Sequence, residues 1–152
     1  MASAEDLIVH SEVADLRQVA QHRGWELEER NSCCLLLGLP ARDQTFFYLL
    51  VDYTAYRGQP PAWHWSDESA QRLDDQRYTP EGNGFLHQSG RICAPWNRLA
   101  YKSVDSGGPH TDWTLANWAT NARTGACTTL SAMALRIYVE LNGPRYSGRR
   151  KA

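Results

Sequence analysis

The chain has 152 residues and a mass of 17.2 kDa, which suits one domain built around one hydrophobic core. Its formal net charge of −1 provides no field that would recruit nucleic acid, and no apolar run reaches the roughly 20 residues of a membrane helix. We therefore expect neither nucleic acid nor a membrane as a partner.

The N-terminal sequence MASAEDLIVHSE lacks the basic start and the long apolar segment of a signal peptide. We expect a cytoplasmic protein whose cysteines are reduced. The sequence contains no C-x-x-C pair, so we predict no metal and no cofactor.

The first half of the chain predicts a helix followed by four strands. Residues 3–23 carry an apolar stripe at helical spacing, with a capping signal at Ser3 and Asp6 and a terminating glycine at Gly24. Alternating or β-prone sequences predict four strands, at residues 25–31, 33–39, 45–56 and 61–67. This order predicts an α+β fold, with an N-terminal helix and a four-stranded antiparallel meander.

The second half of the chain has fewer regular patterns. Residues 104–112 predict a mobile loop because they contain Gly107-Gly108-Pro109. An apolar stripe predicts a C-terminal helix over residues 126–141. We place one domain at residues 1–144 and expect the basic segment 145–152 to be a flexible tail.

One of the four cysteines, Cys93, lies in the turn-rich sequence GFLHQSGRICAPWNRLAY at residues 84–101. A thiol in such a loop is a nucleophile, a metal ligand or a buried small side chain. Cys33 and Cys34 are neighbours that would face opposite sides of a strand, and Cys127 falls in a helical pattern. We predict that these three cysteines are core residues.

The motifs around Cys93 resemble those of ubiquitin-conjugating (E2) enzymes. In that family a strand ends in a YPxxPP element, and a short strand and an active-site loop then lead to the active cysteine within G-x-I-C. Here Tyr56, Pro60 and Pro61 follow an apolar strand, and GRIC occupies residues 90–93. Further on, HTDWTLANW contains a tryptophan like the one downstream of the family's cysteine, and TTLSAMALRIYVELNGP is similar to the helix behind its active site.

The similarity spans roughly residues 25–142, with two departures from eukaryotic E2 enzymes. The family's His-Pro-Asn element would fall at Asn83, Gly84 and Phe85, so its asparagine is missing. The C-terminal helices are also fewer. Both departures are similar to the E2-like proteins of bacterial ubiquitin-like conjugation operons, which are associated with anti-phage defence.

The resemblance implies a UBC-like fold and an E2-type transferase. Cys93 would accept a ubiquitin-like modifier as a thioester from an E1-like activating enzyme, and would pass it to an acceptor amine on a target protein. Arg17, His22 and Arg23 of the N-terminal helix would contact the E1-like enzyme, or they form an ordinary solvated face.

The transfer step requires a group that orients the attacking amine or accepts its proton. His110 and Asp112, in the glycine-rich loop, rank first for this role, ahead of His87, which precedes the cysteine. Asn97 and Asn117 are candidate amide donors to the oxyanion in place of the missing asparagine, and backbone N–H groups are another source.

Three other interpretations stay open. Cys93 with His110 as its base would make a thiol hydrolase. A catalytically silent E2-like module would bind a ubiquitin-like protein without chemistry at Cys93. A zinc site formed by His87, Cys93 and His110 is the third, although this spacing fits no common zinc motif.

Overall fold

A computed structural model describes residues 3–150 and shows a mixed α+β fold. The main elements are α1 (Ala4–Arg23), β1 (Glu26–Asn31), β2 (Cys34–Pro40), β3 (Phe46–Asp52), β4 (Ala62–Ser66) and α2 (Leu130–Leu141). A short strand pair, β5 (Pro80–Glu81) and β6 (Gly148–Arg149), and three 3-10 turns, Gln76–Tyr78, Arg98–Ala100 and Leu115–Thr120, complete the chain. The four long strands form one antiparallel sheet in sequence order, which confirms the predicted helix–meander–helix order.

Helix α1 is defined at both ends by the residues that the sequence indicated. Ser3 and Asp6 form a reciprocal capping box, which satisfies N–H groups that the first helical turn leaves free. Gly24 ends the helix in the left-handed region, at φ 72°, where glycine carries no steric penalty. The helix buries one face, which consists of Glu12, Val13, Leu16 and Ala20.

The sheet presents one apolar face to the helices and one mixed face to its other side. In β3 the buried side chains Phe47, Leu49 and Val51 alternate with partly exposed ones, as the two-residue period of a strand requires. Those three residues share one hydrophobic core with Met133 and Ile137 of α2. The core therefore lies between the sheet and the two helices.

Two predicted elements are longer than the observed ones. The strand predicted over 45–56 ends at Asp52, because the carboxylate of Asp52 accepts a hydrogen bond from the Thr54 N–H at 3.0 Å and starts the turn to β4. The helix predicted over 126–141 begins at Leu130, where the Thr129 side chain caps it. Cys127 therefore lies before the helix and not within it.

Residues 145–150 do not form the predicted flexible tail. Tyr146 is only 1% exposed, and β6 pairs with β5 in an antiparallel register. Arg150 then donates hydrogen bonds to the carbonyl groups of His87 and Gln88. The basic composition suggested a solvated segment, but one buried aromatic ring and backbone pairing anchor it. Lys151, the last basic residue of that segment, lies outside the described residues.

The described helices also bear on the membrane question. Neither α1 nor α2 has both the length and the hydropathy that a bilayer-crossing helix needs, within residues 3–150.

The two tryptophans of β4, Trp63 and Trp65, are buried in the core, so the aromatic side chains of this strand serve packing.

Candidate active site

The segment that carries Cys93 folds back on itself as a tight loop. Leu86 and Ile92 face each other in an antiparallel bridge, and the Cys93 N–H donates to the Phe85 carbonyl at 2.9 Å. Gly90 makes the reversal with φ 86°, a conformation that favours glycine. The residues of the G-x-I-C motif thus have structural roles. Gly90 turns the chain, Ile92 is buried in the core and Cys93 follows at the edge of the loop.

Asn97 fastens this loop to the sheet from inside the protein. It is 0% exposed; its Oδ1 accepts the Trp63 N–H at 3.0 Å and its Nδ2 donates to the Ile92 carbonyl at 3.0 Å. The amide therefore holds the residue before Cys93 and does not point at a reacting group, in contrast to the oxyanion role predicted for it. Asn117 is exposed, and its side chain makes no hydrogen bond to any residue of the 3–150 segment.

A second loop brings His110 to the same place. The His110 N–H donates to the Ala100 carbonyl and the His110 carbonyl accepts from the Lys102 N–H, at 3.0 and 2.9 Å. A Cβ atom on Gly108 would lie 2.7 Å from the carbonyl carbon of Tyr101, so only glycine allows this close passage. The loop predicted to be mobile is therefore tied along its length to its neighbours.

These two loops place a thiol, an imidazole and a carboxylate in a hydrogen-bonded row. Cys93 Sγ lies 3.1 Å from His110 Nε2, and His110 Nδ1 lies 3.0 Å from Asp112 Oδ1. Because a carboxylate only accepts, Nδ1 carries the proton and Nε2 is left to accept the thiol proton. Trp113 stacks on the imidazole at 3.5 Å between ring centroids, with 8° between the planes, which fixes the ring orientation.

The charges around the row explain its resting state. Burial raises the pKa of the Cys93 thiol, Arg123 opposes that rise and Asp112 adds to it. The hydrogen bond from His110 holds the pKa of the Asp112 carboxyl below its usual value. The thiol is therefore mostly protonated at neutral pH, and the adjacent imidazole lies where it can accept the thiol proton.

His87, the third residue predicted to orient the amine or accept its proton, lies beside Cys93 but outside the row. Its Nδ1 accepts the Ser89 N–H at 3.0 Å, which leaves the other ring nitrogen to carry a proton. Burial, His110 and Arg150 lower the pKa of His87, so its imidazole is neutral at physiological pH. His87 lines the same cavity as Cys93.

That cavity has a volume of about 270 Å³ and contains three arginines that the sequence analysis did not single out. We call it the arginine cleft, after Arg123, Arg136 and Arg145. Its other lining residues are Gly84, Phe85, His87, Cys93, Ala94, Pro95 and Trp96. No local motif links these arginines, because they come from separate segments that meet only in the folded chain.

The predicted E1-contacting residues lie along α1 and its last turn. Arg17 pairs with Glu29 at 2.6 Å, with both side chains about half exposed. His22 is exposed, and the Arg23 guanidinium lies 5.6 Å from the Tyr138 ring centroid. These side chains are accessible on α1, and none of them belongs to the Cys93 row.

Two of the remaining cysteines, Cys33 and Cys34, belong to one further cluster of possible metal-ligand atoms. Cys33 lies in the β1–β2 turn and not on the strand, so it does not face away from Cys34 as predicted. Among residues 3–150, the one group of three metal-type donors within 4.8 Å of one another is Cys33, Cys34 and Asp52. The alternative zinc set around Cys93 does not form such a group in this described part. Burial, Asp52 and Cys33 raise the pKa of Cys34 to about 11, so its thiol is an inert neutral group.

Comparison of the chain with protein-family models, with curated proteins and with solved structures gives no match. The function has to be argued from the residues and their geometry.

Proposed function

We propose that this chain is an E2-type transferase that carries a ubiquitin-like modifier as a thioester on Cys93 and passes it to an amine of a target protein. The observation that supports it is the hydrogen-bonded row of Cys93, His110 and Asp112. A thiol beside an oriented imidazole is an arrangement that supports acyl transfer through a covalent intermediate.

The position of this row in the chain supports the transferase over other thiol enzymes. Tyr56, Pro60 and Pro61 lie in the β3–β4 connection, and Cys93 follows β4 in a loop with α2 further on. This is the order of motifs and elements expected from the resemblance to E2 enzymes. An E1-like enzyme as donor, a protein target, a cytoplasmic location and a part in bacterial antiviral defence follow from that resemblance and form part of the proposal.

The proposed reaction has two acyl transfers at one sulfur. In the first, His110 Nε2 takes the Cys93 proton, the thiolate attacks the modifier's E1-thioester carbonyl, and the E1 thiolate leaves with that proton. In the second, an acceptor amine attacks the new thioester, His110 takes a proton from the nitrogen, and Cys93 leaves as the thiol while an amide bond forms. His110 is the general base and Asp112 holds its tautomer.

The oxyanion formed in both steps needs a positive or N–H partner. The backbone N–H groups of Cys93 and Ala94 already donate to the carbonyls of Phe85 and Ile92. Among the side chains near the sulfur, Arg123 is the one whose positive charge lowers the pKa of the Cys93 thiol. We assign the oxyanion to Arg123, in place of the asparagine of eukaryotic E2 enzymes.

A thiol hydrolase is the second candidate, and the same contact favours it. An imidazole 3.1 Å from the sulfur can deprotonate water as well as an amine once the sulfur is acylated. The two functions share the first half-reaction and differ in the second nucleophile.

The test uses a short peptide ending in Gly-Gly as its 2-mercaptoethanesulfonate thioester, which replaces the charged E1. We expect an adduct on Cys93 in intact-protein mass spectra that excess thiol removes and Cys93→Ala abolishes. Cys93→Ala should keep the wild-type melting temperature, because the thiol is only partly buried. If no thiol-sensitive adduct forms at Cys93, the proposal fails.

Discharge of the adduct separates the two candidates. Free lysine should release the peptide as a lysine amide faster than buffer alone releases the free acid. Release dominated by the free acid at high lysine concentration would assign the chain to the hydrolases. His110→Gln is the matched variant for this stage, because it removes the base and retains a hydrogen-bonding side chain.

A further inference from the structure

The arginine cleft opens on one side of the Cys93 sulfur, and His110 does not line it. The imidazole contacts the sulfur directly, so it occupies a different side. An acceptor amine must approach within reach of His110 Nε2, because that nitrogen takes its proton. The cleft side of the sulfur is therefore free for the C-terminal segment of the acyl donor, whose last carbonyl is attached to the sulfur.

The charge of the cleft is unbalanced. Glu140 accepts hydrogen bonds from both Arg136 and Arg145, at 3.2 and 2.9 Å, so one carboxylate serves two guanidinium groups. Arg123 is exposed, and its guanidinium makes no hydrogen bond to any other described residue; it lies 5.9 Å from the Trp113 ring centroid. Asp112 is the other carboxylate that acts on Arg123, so three guanidinium groups against two carboxylates leave the cleft positive beside the reactive sulfur.

The backbone makes room for this charge. Gly84 has φ 67°, and a Cβ atom there would lie 2.5 Å from Arg145 Nη1. The Arg136 guanidinium lies 4.9 Å from the ring centroid of Phe85, which also lines the cleft. A glycine is thus needed at 84 for Arg145 to lie where it does, and an aromatic ring supports Arg136, so the guanidinium groups are positioned by the fold.

We propose that the arginine cleft binds an acidic side chain in the C-terminal segment of the acyl donor, next to the residues attached to Cys93. This inference rests on the proposed function. Carboxylates are the protein groups that guanidinium forks bind best, through charge-assisted hydrogen bonds. Arg123 and Arg145 are specificity-determining residues in this proposal, and the modifier that fits is one with aspartate or glutamate shortly before its C-terminal glycines.

The test compares peptide thioesters that differ in a single residue before the Gly-Gly end. Aspartate, asparagine and lysine at that position keep the length and the leaving group while changing the charge. We expect wild-type protein to load the aspartate peptide about fivefold or more faster than the asparagine peptide, with lysine slowest. Added NaCl should reduce the preference, because the site is open to solvent.

Arg145→Gln should move the aspartate-to-asparagine ratio towards one. Arg123→Gln should move it in the same direction and should also slow the loading of all three peptides, because Arg123 is the proposed oxyanion partner. Arg72→Gln is the control, since Arg72 is exposed and does not line the cleft. Alkylation of Cys93 by iodoacetamide provides a measure of thiol reactivity that Arg145→Gln should leave unchanged, which separates lost recognition from a damaged site.

The outcomes distinguish this inference from the proposed function. Equal loading of all three peptides on Cys93 would overturn the cleft as a charge-reading site and leave the transferase intact. A charge preference that appears only when the acceptor amine is varied, with carboxylate-bearing amines discharging the thioester fastest, would assign the cleft to the acceptor. That result would also overturn the inference. Absence of any adduct on Cys93 would remove the proposed function, and the inference with it.

Discussion

Replacing Asp112 by asparagine should separate the ionisation of Cys93 from the proposed acyl transfer. The amide keeps the size of the carboxylate but offers an N–H to His110 Nδ1, so the imidazole proton moves to Nε2. A protonated Nε2 donates to the Cys93 sulfur, 3.1 Å away, and can no longer take a proton from an amine. We expect the thiol to ionise more easily while acyl transfer becomes slower.

The direction of the first effect follows from the charges near the sulfur. Burial is the largest cause that raises the pKa of the Cys93 thiol, and Asp112 adds to it against Arg123. Removing the carboxylate therefore lowers that pKa, and iodoacetamide alkylation at neutral pH becomes faster. The slowing of acyl transfer should be modest, because the Asp112 side chain is 73% exposed and solvent weakens its interaction with His110. We expect transfer to fall about three- to tenfold, well below the ~10⁴ of a buried triad aspartate.

Both rates are measurable on one protein. Peptide mapping after alkylation isolates Cys93 from the other three cysteines, and lysine discharge of the preformed thioester reports transfer. His110→Gln should slow discharge by about 10²- to 10⁴-fold, and adding Asp112→Asn to it should change little more. Unchanged rates in Asp112→Asn, or fully multiplicative losses in the double variant, would refute the view that the two residues act as one unit.

Three further predictions concern the frame of the site. Glu12 is 7% exposed and accepts hydrogen bonds from the Leu130 N–H and the Tyr56 hydroxyl at 2.9 and 2.6 Å. Glu12→Ala leaves both donors without this partner and should lower the unfolding free energy, measured by urea denaturation, by about 1–3 kcal/mol; an unchanged unfolding free energy would contradict this. Gly108→Ala would place a Cβ atom 2.7 Å from the Tyr101 carbonyl carbon, which should cost about 1–3 kcal/mol and slow lysine discharge by displacing His110; an unchanged discharge rate would count against the packing argument. Burial raises the pKa of Tyr101 to about 12, above the value of about 10 in unfolded chains. The native state therefore keeps the proton longer, and stability that is complete below about pH 10 falls as pH rises towards 12; Tyr101→Phe should flatten this part of the urea-midpoint profile.

The frame of the fold was predictable because its signals are local. The capping box of Ser3 and Asp6, the two-residue alternation in β3 and the stripe of α2 are all read from adjacent turns or neighbouring residues. The errors lie at boundaries. Thr129 caps α2 later than the apolar stripe indicated, and the segment after Leu141 is anchored by Tyr146, whose burial depends on the distant strand β3 through a ring contact with Phe47.

The site was predictable only as a set of residue types. His110 and Asp112 were identified because a glycine-rich loop follows the cysteine, but the 3.1 Å contact depends on long-range packing. Gly108 must pass against Tyr101 before the imidazole reaches the sulfur. The role of Asn97 could not be predicted, because a buried amide that ties a loop to β4 and an amide aimed at an oxyanion look identical in sequence.

A conjugating enzyme must keep its thioester until an amine arrives, whereas a hydrolase must bring water to it. Once Cys93 is acylated, the sulfur has no proton to donate, and His110 Nε2 accepts one from whichever nucleophile lies beside it. The His110 side chain is still 18% exposed, so the row of residues alone does not exclude water. Under the proposed function, discrimination comes from the acceptor, because a neutral amine is a stronger nucleophile than water and a bound target would hold it beside His110. Under the proposed function we expect His110→Gln to slow lysine discharge far more than spontaneous hydrolysis. Equal slowing of both reactions would indicate a base that serves any nucleophile.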